Sequence, residues 1–176
     1  MNQAIFQALA AALGLSSTGS EAAAVLLRAY GDAQPPRADS AESLCFYWLT
    51  PEAAEAQETE YETAAGRWTV SRLIPYRLNL IFYGSEAESW AFRVRDHLFV
   101  DGRNAPRGIL RQAGIYPVPP VAPPALSWEE DGTHWRRRVD LSIPLRRLDI
   151  ADAASGALPF DSVQLLPAVV RETPSC

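Results

Sequence analysis

Residues 68–98 read WTVSRLIPYRLNLIFYGSEAESWAFRVRDHL, and the spacing of the apolar residues changes once along this run. Up to Tyr83 apolar and polar side chains alternate, which is the period of a β-strand. Beyond Gly84 the apolar residues recur at every third or fourth position, which is the period of an amphipathic helix. The run therefore predicts a long strand that is followed at once by a helix. The apolar positions are Tyr76, Leu78, Leu80 and Phe82 in the strand and Ala87, Trp90, Ala91, Val94 and Leu98 in the helix.

Short signals refine the ends and edges of these elements. Ser85 and Glu88, three residues apart at the start of the helical pattern, predict a capping box. Pro75 lies within the strand and has no backbone N–H to donate, so we expect a bulge or an edge position there. Pro144, within a later strand, predicts the same.

The chain opens with another amphipathic helical pattern. Asn2 can cap the start of this helix, and Gly14 can end it in the left-handed conformation. The following segment, from Ala22 to Tyr30, is ambiguous, because its composition favours a helix while Val25 to Tyr30 fits an extended segment equally well. The apolar positions of the first helix are Ile5, Phe6, Leu9 and Leu13.

A strand and an acidic stretch come next. Ser43 to Thr50 is rich in aromatic residues and predicts a strand. From Pro51 to Thr63 the chain carries no basic residue, which predicts a solvated loop or a frayed helix. The glutamates of this stretch are Glu52, Glu55, Glu58, Glu60 and Glu62.

The second half of the chain predicts a hairpin. Leu126 to Trp128 and Trp135 to Leu148 flank an Asp131-Gly132 turn. Before the hairpin, Arg107 to Ala113 predicts a helical turn, and the prolines from Pro117 to Pro124 predict a stiff connector that cannot pair in a sheet. One face of the second hairpin strand would carry Val139, Leu141, Ile143 and Leu145, and the other Arg136, Arg138, Asp140 and Ser142.

The order of elements is helix, strands, helix and strands, with a last short strand expected near Val163 to Leu166. Helices grouped beside a mainly antiparallel sheet indicate an α+β fold rather than a doubly wound parallel fold. We expect two principal helices packed on that sheet, in the order α-β-β-β-α-β-β. Residues 1–166 are expected to form a single domain and residues 167–176 a C-terminal tail.

The composition argues against several classes of protein. The net charge of −5 argues against a general nucleic-acid binder, which needs a cationic face. All 16 basic residues are arginines, which suits subunit interfaces, although a GC-rich coding sequence would give the same bias. The two cysteines, Cys45 and Cys176, exclude a disulfide framework and a cysteine-based zinc cluster. No segment approaches the roughly 20 apolar residues that span a bilayer.

The sequence carries no motif for catalysis or cofactor binding. It has no nucleophile elbow, phosphate loop or dinucleotide fingerprint. His97 and His134 are the only histidines, and they lack the spacing of a metal site. Cys45 lies in an apolar strand, where a buried and inert thiol is expected. We therefore predict no catalytic residue, no cofactor and no metal, and a protein that is not an enzyme.

The densest positive patch is Arg136-Arg137-Arg138. In a strand, Arg136 and Arg138 point to one side and Arg137 to the other. One interpretation is a solvated strand face whose charge discourages edge aggregation. The other is an interface that accepts carboxylates from a neighbouring subunit. A nucleic-acid surface fits less well because the net charge is negative.

Six short pieces of the chain carry a family resemblance. They are Asn2-Gln3-Ala4-Ile5-Phe6-Gln7-Ala8-Leu9, Leu27-Arg28-Ala29-Tyr30, Leu80-Ile81-Phe82-Tyr83-Gly84, the helix Glu86 to Leu98 with Arg95 and Leu98, Arg138-Val139-Asp140-Leu141, and Asp161-Ser162-Val163. Together they resemble the neck or tail-terminator subunits of tailed bacteriophages, which are related to the tail-completion proteins of siphophages. The resemblance runs from about Asn2 to Val163 and favours an extended segment at Val25 to Tyr30.

The resemblance implies a structural virion protein that forms a ring, commonly of six subunits. The ring caps the finished tail tube, joins it to the head connector and leaves a central channel for DNA. The implied partners are further copies of this chain, the tail-tube protein and the head–tail connector protein, with DNA only in passing and no membrane. The implied location is the neck of the virion, after assembly in the cytoplasm of the bacterial host.

Two sets of residues follow from this interpretation. Arg77, Arg136 and Arg138 are expected to contribute to ring or tube contacts. The acidic stretch is expected to line the channel as a loop, where negative charge keeps passing DNA from sticking. Its residues are Glu52, Glu55, Glu58, Glu60 and Glu62.

Two other functions stay open at this point. One is another phage structural role, such as a head-completion or baseplate subunit. The other is a ligand-binding or enzymatic domain with an aromatic pocket. The residues of such a pocket would be Trp48, Trp68, Trp90 and Tyr83.

Overall fold

The computed structural model describes residues 1–18, 20–29, 43–52, 56–62, 67–131 and 133–153. Helices and strands alternate in groups along these residues. In chain order they are α1 (Asn2–Leu13), α2 (Ser20–Val25), β1 (Leu26–Arg28), β2 (Leu44–Pro51), β3 (Ala56–Glu62), β4 (Arg67–Tyr83), α3 (Ala87–His97), α4 (Pro106–Gln112), β5 (Ile115–Pro117), β6 (Ala125–Asp131) and β7 (His134–Ala153).

The strands form one sheet in the order β1-β2-β4-β7-β5, with β3 also paired to β4 and β6 also paired to β7. Among the described pairings, β1 with β2 is parallel and the others are antiparallel. The predicted α+β class with a mainly antiparallel sheet is confirmed.

Strands β4 and β7 are the longest and form a ribbon through the whole sheet. Their register is continuous from Trp68 opposite Ala153 to Tyr83 opposite Arg138. Along its other edge β4 pairs first with β3 and then with β2, while β7 pairs first with β6 and then with β5. The predicted long strand, with polar and apolar residues in alternation, is the centre of this ribbon.

The core lies between one face of the ribbon and helices α1 and α3. The alternating apolar residues predicted for β4 and β7 are buried there, together with Ile5 and Leu9 of α1. Burying a side chain of this size contributes about 1.5–3 kcal/mol, so this face accounts for much of the stability. Its strand residues are Leu78, Leu80, Phe82, Val139, Leu141, Ile143 and Leu145.

Both predicted N-terminal helix caps are wrong, although both helices exist. Asn2 is the first residue of α1, and no side chain caps that end; Gly14 ends the helix at φ 75°, as predicted. At α3 the expected capping box of Ser85 and Glu88 does not form. Instead the hydroxyl of Ser43, a residue distant in sequence, accepts a 3.1 Å hydrogen bond from the backbone N–H of Glu86.

The ambiguous segment from residue 22 onward contains both predicted structures. Helix α2 ends at Val25, and β1 begins at Leu26 and pairs in parallel with β2. The side chain of Leu26 is buried in the core, whereas Arg28 is exposed. Tertiary burial thus selects the extended conformation where propensity alone favours a helix.

Pro75 and Pro144 occupy equivalent places in the two ribbon strands. The β4–β7 pairing continues through both prolines without a bulge. On its other edge, β4 changes from β3 to β2 as its partner at Pro75, and β7 changes from β6 to β5 at Pro144. The carbonyl of Pro75 accepts a 3.0 Å hydrogen bond from Glu52, and that of Pro144 accepts one of 2.9 Å from Val118. Because N–H and C=O of one residue face the same neighbour in an antiparallel pair, each ring nitrogen points into the gap between two partners. Each proline is therefore at an edge of the sheet only locally, where its strand has no partner on that side.

The acidic stretch is partly a strand, which corrects the predicted loop or frayed helix. Residues 56–62 form β3 and pair along β4, with Glu58 opposite Ser71 and Glu60 opposite Thr69. Glu55 lies outside the described residues. The order of elements roughly matches the prediction. The helical turn expected at Arg107 to Ala113 is α4, whereas β3 and β5 are strands that were not predicted.

The predicted hairpin is confirmed, with Asp131 as the last residue of β6 rather than as part of the turn. The proline connector is correct except at its start, where Pro117 pairs with Leu145. The strand expected near Val163 to Leu166 and the boundary at residue 166 lie outside the described residues.

Candidate interaction surface

All three arginines predicted to make contacts lie on the outer face, which is the face of the sheet opposite α1 and α3. Arg77 alternates with the buried residues of β4, and Arg136 and Arg138 alternate with those of β7. Arg138 is paired with Tyr83, six residues beyond Arg77 on β4. At about 3.3 Å per residue, the structure brings Arg136 and Arg138 together and leaves Arg77 about 20 Å away.

Arg77 forms an ion pair with Glu52 at the end of β2. A guanidinium nitrogen lies 2.6 Å from the Glu52 carboxylate, and the two side chains are 47% and 35% exposed. Pairs this exposed contribute only about 0–1 kcal/mol. The Arg77 and Glu52 charges therefore balance each other locally, and the pairing leaves both side chains partly exposed.

Arg136 is buried, which its place in an arginine triplet did not indicate. Its side chain lies over the ring of Tyr83, 4.7 Å from the ring centroid, and 3.1 Å from a carboxylate oxygen of Glu129. Only 9% of the residue is exposed. A desolvated cation over an aromatic ring contributes about 2 kcal/mol, so Arg136 joins the hairpin to the end of β4.

Arg138 belongs to a second small network on the outer face. Its guanidinium donates to the Asp140 carboxylate at 3.1 Å, and the Ser127 hydroxyl donates to the same oxygen at 2.9 Å. Burial by itself would lower the pKa of Arg138, but the hydrogen bond to Asp140 and nearby negative charge raise it. Arg138 therefore stays charged while two-thirds covered.

Tyr83 and Glu129 were missed by sequence reasoning as members of this surface. Burial, and then the hydrogen bond to Glu129, raise the pKa of Tyr83 to about 12. Burial would raise the pKa of Glu129, but hydrogen bonds from Tyr83 and Arg136 outweigh it and lower the pKa. The hairpin signal already places Glu129 near the arginine triplet; the position of Tyr83 depends on the β4–β7 register.

Arg137 points to the opposite side, as strand alternation predicts. It pairs with Glu88 on α3 and so ties the hairpin to the helix layer. The three consecutive arginines thus divide between two faces of the sheet.

The outer face also carries an open cleft of about 360 Å³, lined by Trp48, Asn79, Ile81, Pro123 and Ser142 among others. The aromatic pocket left open as an alternative is not formed by Trp48 and Trp90, and the side chain of Trp68 lies outside the described part of the structure. Trp48 lies on the outer face, opposite Asn79, whereas Trp90 packs against the core on the helix side. Trp48 and Trp90 are therefore separated by the sheet.

Cys45 and His97, two of the residues weighed for chemistry, lie in structural surroundings. Cys45 is fully buried, and this burial raises the pKa of its thiol well above the ordinary value. A ring nitrogen of His97 lies 3.0 Å from the carbonyl oxygen of Ala12, which links α3 to α1. His134 lies at the hairpin tip and is exposed. Across the described ranges, no three His, Cys, Asp or Glu side chains converge as metal ligands would.

A comparison with protein families decides the class of this protein. The model of the phage neck terminator protein family matches residues 3–169, nearly the whole chain. The chain belongs to the phage neck terminator protein family. The resemblance seen in the sequence is thereby confirmed, and neck terminator proteins are structural proteins of bacteriophages. No curated protein matches the chain.

Membership in this family suggests contact with other head or tail proteins and a place in the virion. No helix in the described part of this neck terminator protein is long and apolar enough to cross a membrane.

Proposed function

We propose that this neck terminator protein forms a ring of six copies that caps the tail tube and joins it to the head connector. The observation that carries the proposal is the family match over residues 3–169. A closed ring needs a head-to-tail interface, in which different surfaces of neighbouring copies meet. The role requires no active site, so we propose a protein that is not an enzyme and that is assembled in the bacterial cytoplasm.

Within this proposal the outer-face arginines contact a neighbouring copy or the tube. Arg77 and Arg138 are the accessible ones, with side chains 47% and 30% exposed. Arg136 does not contact the neighbour itself but fixes the hairpin that carries Arg138, because it packs over the ring of Tyr83. Arginine suits this task because its planar fork pairs with two carboxylate oxygens at once and tolerates desolvation.

We further propose that the acidic stretch lines the DNA channel. Glu58, Glu60 and Glu62 occupy alternate positions of β3, and alternate positions of a strand share one face. A row of negative charges would repel the phosphates of passing DNA. Glu52 and Glu55 precede this strand and complete the proposed acidic lining.

The oligomer test is the mass of the purified protein in solution, measured by light scattering over a range of concentrations, with and without tail-tube protein. A closed ring, or a ring that appears on tube ends, supports the proposal. A single chain that ignores the tube protein at every concentration contradicts it. Capping by another phage structural protein instead would favour the head-completion or baseplate alternative.

The surfaces are tested separately. Replacing Arg77 and Arg138 by glutamate is expected to abolish assembly, while the matched replacement of Arg103 and Arg107 leaves it intact. Thermal unfolding of each variant must show that the fold is retained, since Arg138 also pairs with Asp140. Normal assembly of the Arg77 and Arg138 variant would contradict the contact proposal.

The channel proposal predicts a defect after assembly. Changing Glu58, Glu60 and Glu62 to glutamine is expected to slow genome ejection from otherwise complete particles. Glutamine at the exposed Glu21, Glu86 and Glu130 serves as the control for the loss of three charges. Complete tails with normal ejection from the first variant would contradict the channel proposal.

A further inference from the structure

Three large apolar side chains are exposed side by side on the β6–β7 hairpin. Leu126 is 55% exposed, Trp128 59% and Trp135 65%. In the hairpin register Leu126 is opposite Val139 and Trp128 is opposite Arg137, while Trp135 lies two residues before Arg137 on β7. Val139 and Arg137 point to the side of the sheet that carries the helices, so all three apolar side chains lie on that side. We name these residues the hairpin patch.

The hairpin projects beyond the rest of the sheet. Strand β4 ends at Tyr83 opposite Arg138, so residues 134–137 of β7 pair with β6 and not with β4. An isolated two-stranded hairpin is marginally stable in water. This one is held at its root, because Arg136 and Glu129 bind Tyr83 on the outer face and Arg137 binds Glu88 of α3. The hairpin patch is thus presented on a fixed support.

A second exposed apolar group lies at the far end of the same strand. Tyr116 is 40% exposed, Leu148 38% and Ile150 63%. Tyr116 is opposite Arg146, and residues at even positions of β7 face away from the helices. We name these residues the far-end patch. It lies on the opposite face of the sheet from the hairpin patch, and at about 3.3 Å per residue the centres of the two patches are about 35 Å apart along β7.

We propose that the hairpin patch of one copy docks on the far-end patch of the next copy. The two patches lie on opposite faces of the sheet and at opposite ends of β7, so they cannot meet within one chain. They can meet between copies that follow one another head to tail. This inference rests on the proposed ring and identifies its seam.

The size of the hairpin patch fits this arrangement. Two aromatic side chains and a leucine with these exposures offer on the order of 400 Å² of apolar surface. A stable interface covers about 800 Å² on each partner, so the patch alone is too small for an independent two-fold dimer. In a closed ring every copy makes two contacts, and each patch forms only the apolar centre of one of them.

Two variants and their mixture test the seam. Trp128→Glu with Trp135→Glu removes the hairpin patch, and Leu148→Glu with Ile150→Glu removes the far-end patch. Each variant alone is expected to have the mass of a single chain under conditions where the unchanged protein forms rings. An equal mixture is expected to give two-chain species, because the far-end variant still offers a hairpin patch and the hairpin variant still offers a far-end patch.

Two controls accompany these variants. Val100 is 50% exposed and lies outside both patches, so Val100→Glu is expected to leave the rings intact. Trp128→Phe with Trp135→Phe keeps the apolar surface and is expected to assemble. Thermal unfolding checks that each glutamate variant retains its fold.

The outcomes separate this inference from the proposed function. Rings from the hairpin variant overturn the seam and leave the terminator role standing. Rings that still form but no longer cap tubes show that the patch binds tube protein instead, which also overturns the seam. If the far-end variant fails to assemble and the equal mixture gives no two-chain species, the pairing of the two patches is overturned. An unchanged protein that stays a single chain, with and without tube protein, overturns both proposals.

Discussion

The hydroxyl of Tyr83 donates a 2.7 Å hydrogen bond to the carboxylate of Glu129 and so joins the last residue of β4 to the hairpin strand β6. Arg136 lies over the ring of the same tyrosine and pairs with the same carboxylate. Phe46 meets the Tyr83 ring edge-on, with 5.9 Å between the centroids. One tyrosine therefore connects β2, β4 and the hairpin on the outer face.

Removing the Tyr83 hydroxyl is expected to weaken this junction. Tyr83→Phe keeps the ring over which Arg136 lies but leaves Glu129 without one donor. A hydrogen bond to a charged group contributes about 1.5–3 kcal/mol, and we expect the free energy of unfolding to fall by that amount. Urea denaturation measures the loss, and Tyr116→Phe, at an exposed position, is the control. Equal stabilities of the two variants would show that the hydrogen bond is dispensable.

The carboxylate of Glu129 predicts a dependence of stability on pH. Its pKa in the folded protein lies below the ordinary value of 4.5, so its stabilisation is complete above that pH. The stabilisation is lost as the pH falls through the lower, folded pKa. We therefore expect Glu129→Gln to be less stable than the unchanged protein at pH 7 and nearly equal to it in strong acid. Denaturation at both pH values tests this, and a difference that does not shrink in acid would contradict it.

The sequence predicted the elements whose signals are local. The alternation at Leu78, Leu80 and Phe82 and the helical spacing of Ala87, Ala91 and Val94 each identify a buried face without knowledge of the partner. The same holds for Gly14, whose left-handed conformation depends on a single residue. These features follow from the period of the chain and from the steric freedom of glycine.

The features that were missed depend on partners distant in sequence. The hydroxyl of Ser43 accepts a hydrogen bond from the N-terminus of α3. The polar strand β3 forms because β4 extends beyond β2 and has a free edge with which β3 pairs. Arg136 is buried because Tyr83 and Glu129 surround it, although a run of three arginines normally indicates a solvated face. Local periodicity carries no information about such contacts, since they are set by the register of the ribbon.

Gly108 in α4 is expected to tolerate no side chain. A Cβ atom there would lie 1.8 Å from the carbonyl oxygen of Gly102, which is backbone and cannot rotate away. Alanine would gain roughly 1 kcal/mol in helix propensity, but overpacking costs about 1–3 kcal/mol or more. We expect Gly108→Ala to lower the melting temperature, whereas Arg107→Ala in the same helix leaves it nearly unchanged. A Gly108→Ala protein with a raised melting temperature would contradict this packing.

The thiol of Cys45 is expected to be unreactive in the folded protein. The side chain is fully buried, and desolvation raises its pKa, so both access and the thiolate form needed for reaction are suppressed. In a Cys176→Ser background, a thiol reagent should label no cysteine in native buffer and one cysteine in urea. A Cys45→Ser variant without Cys176 supplies the blank under both conditions. Labelling in native buffer at the rate seen in urea would mean that β2 opens readily, and that the junction at Tyr83 does not hold the sheet closed.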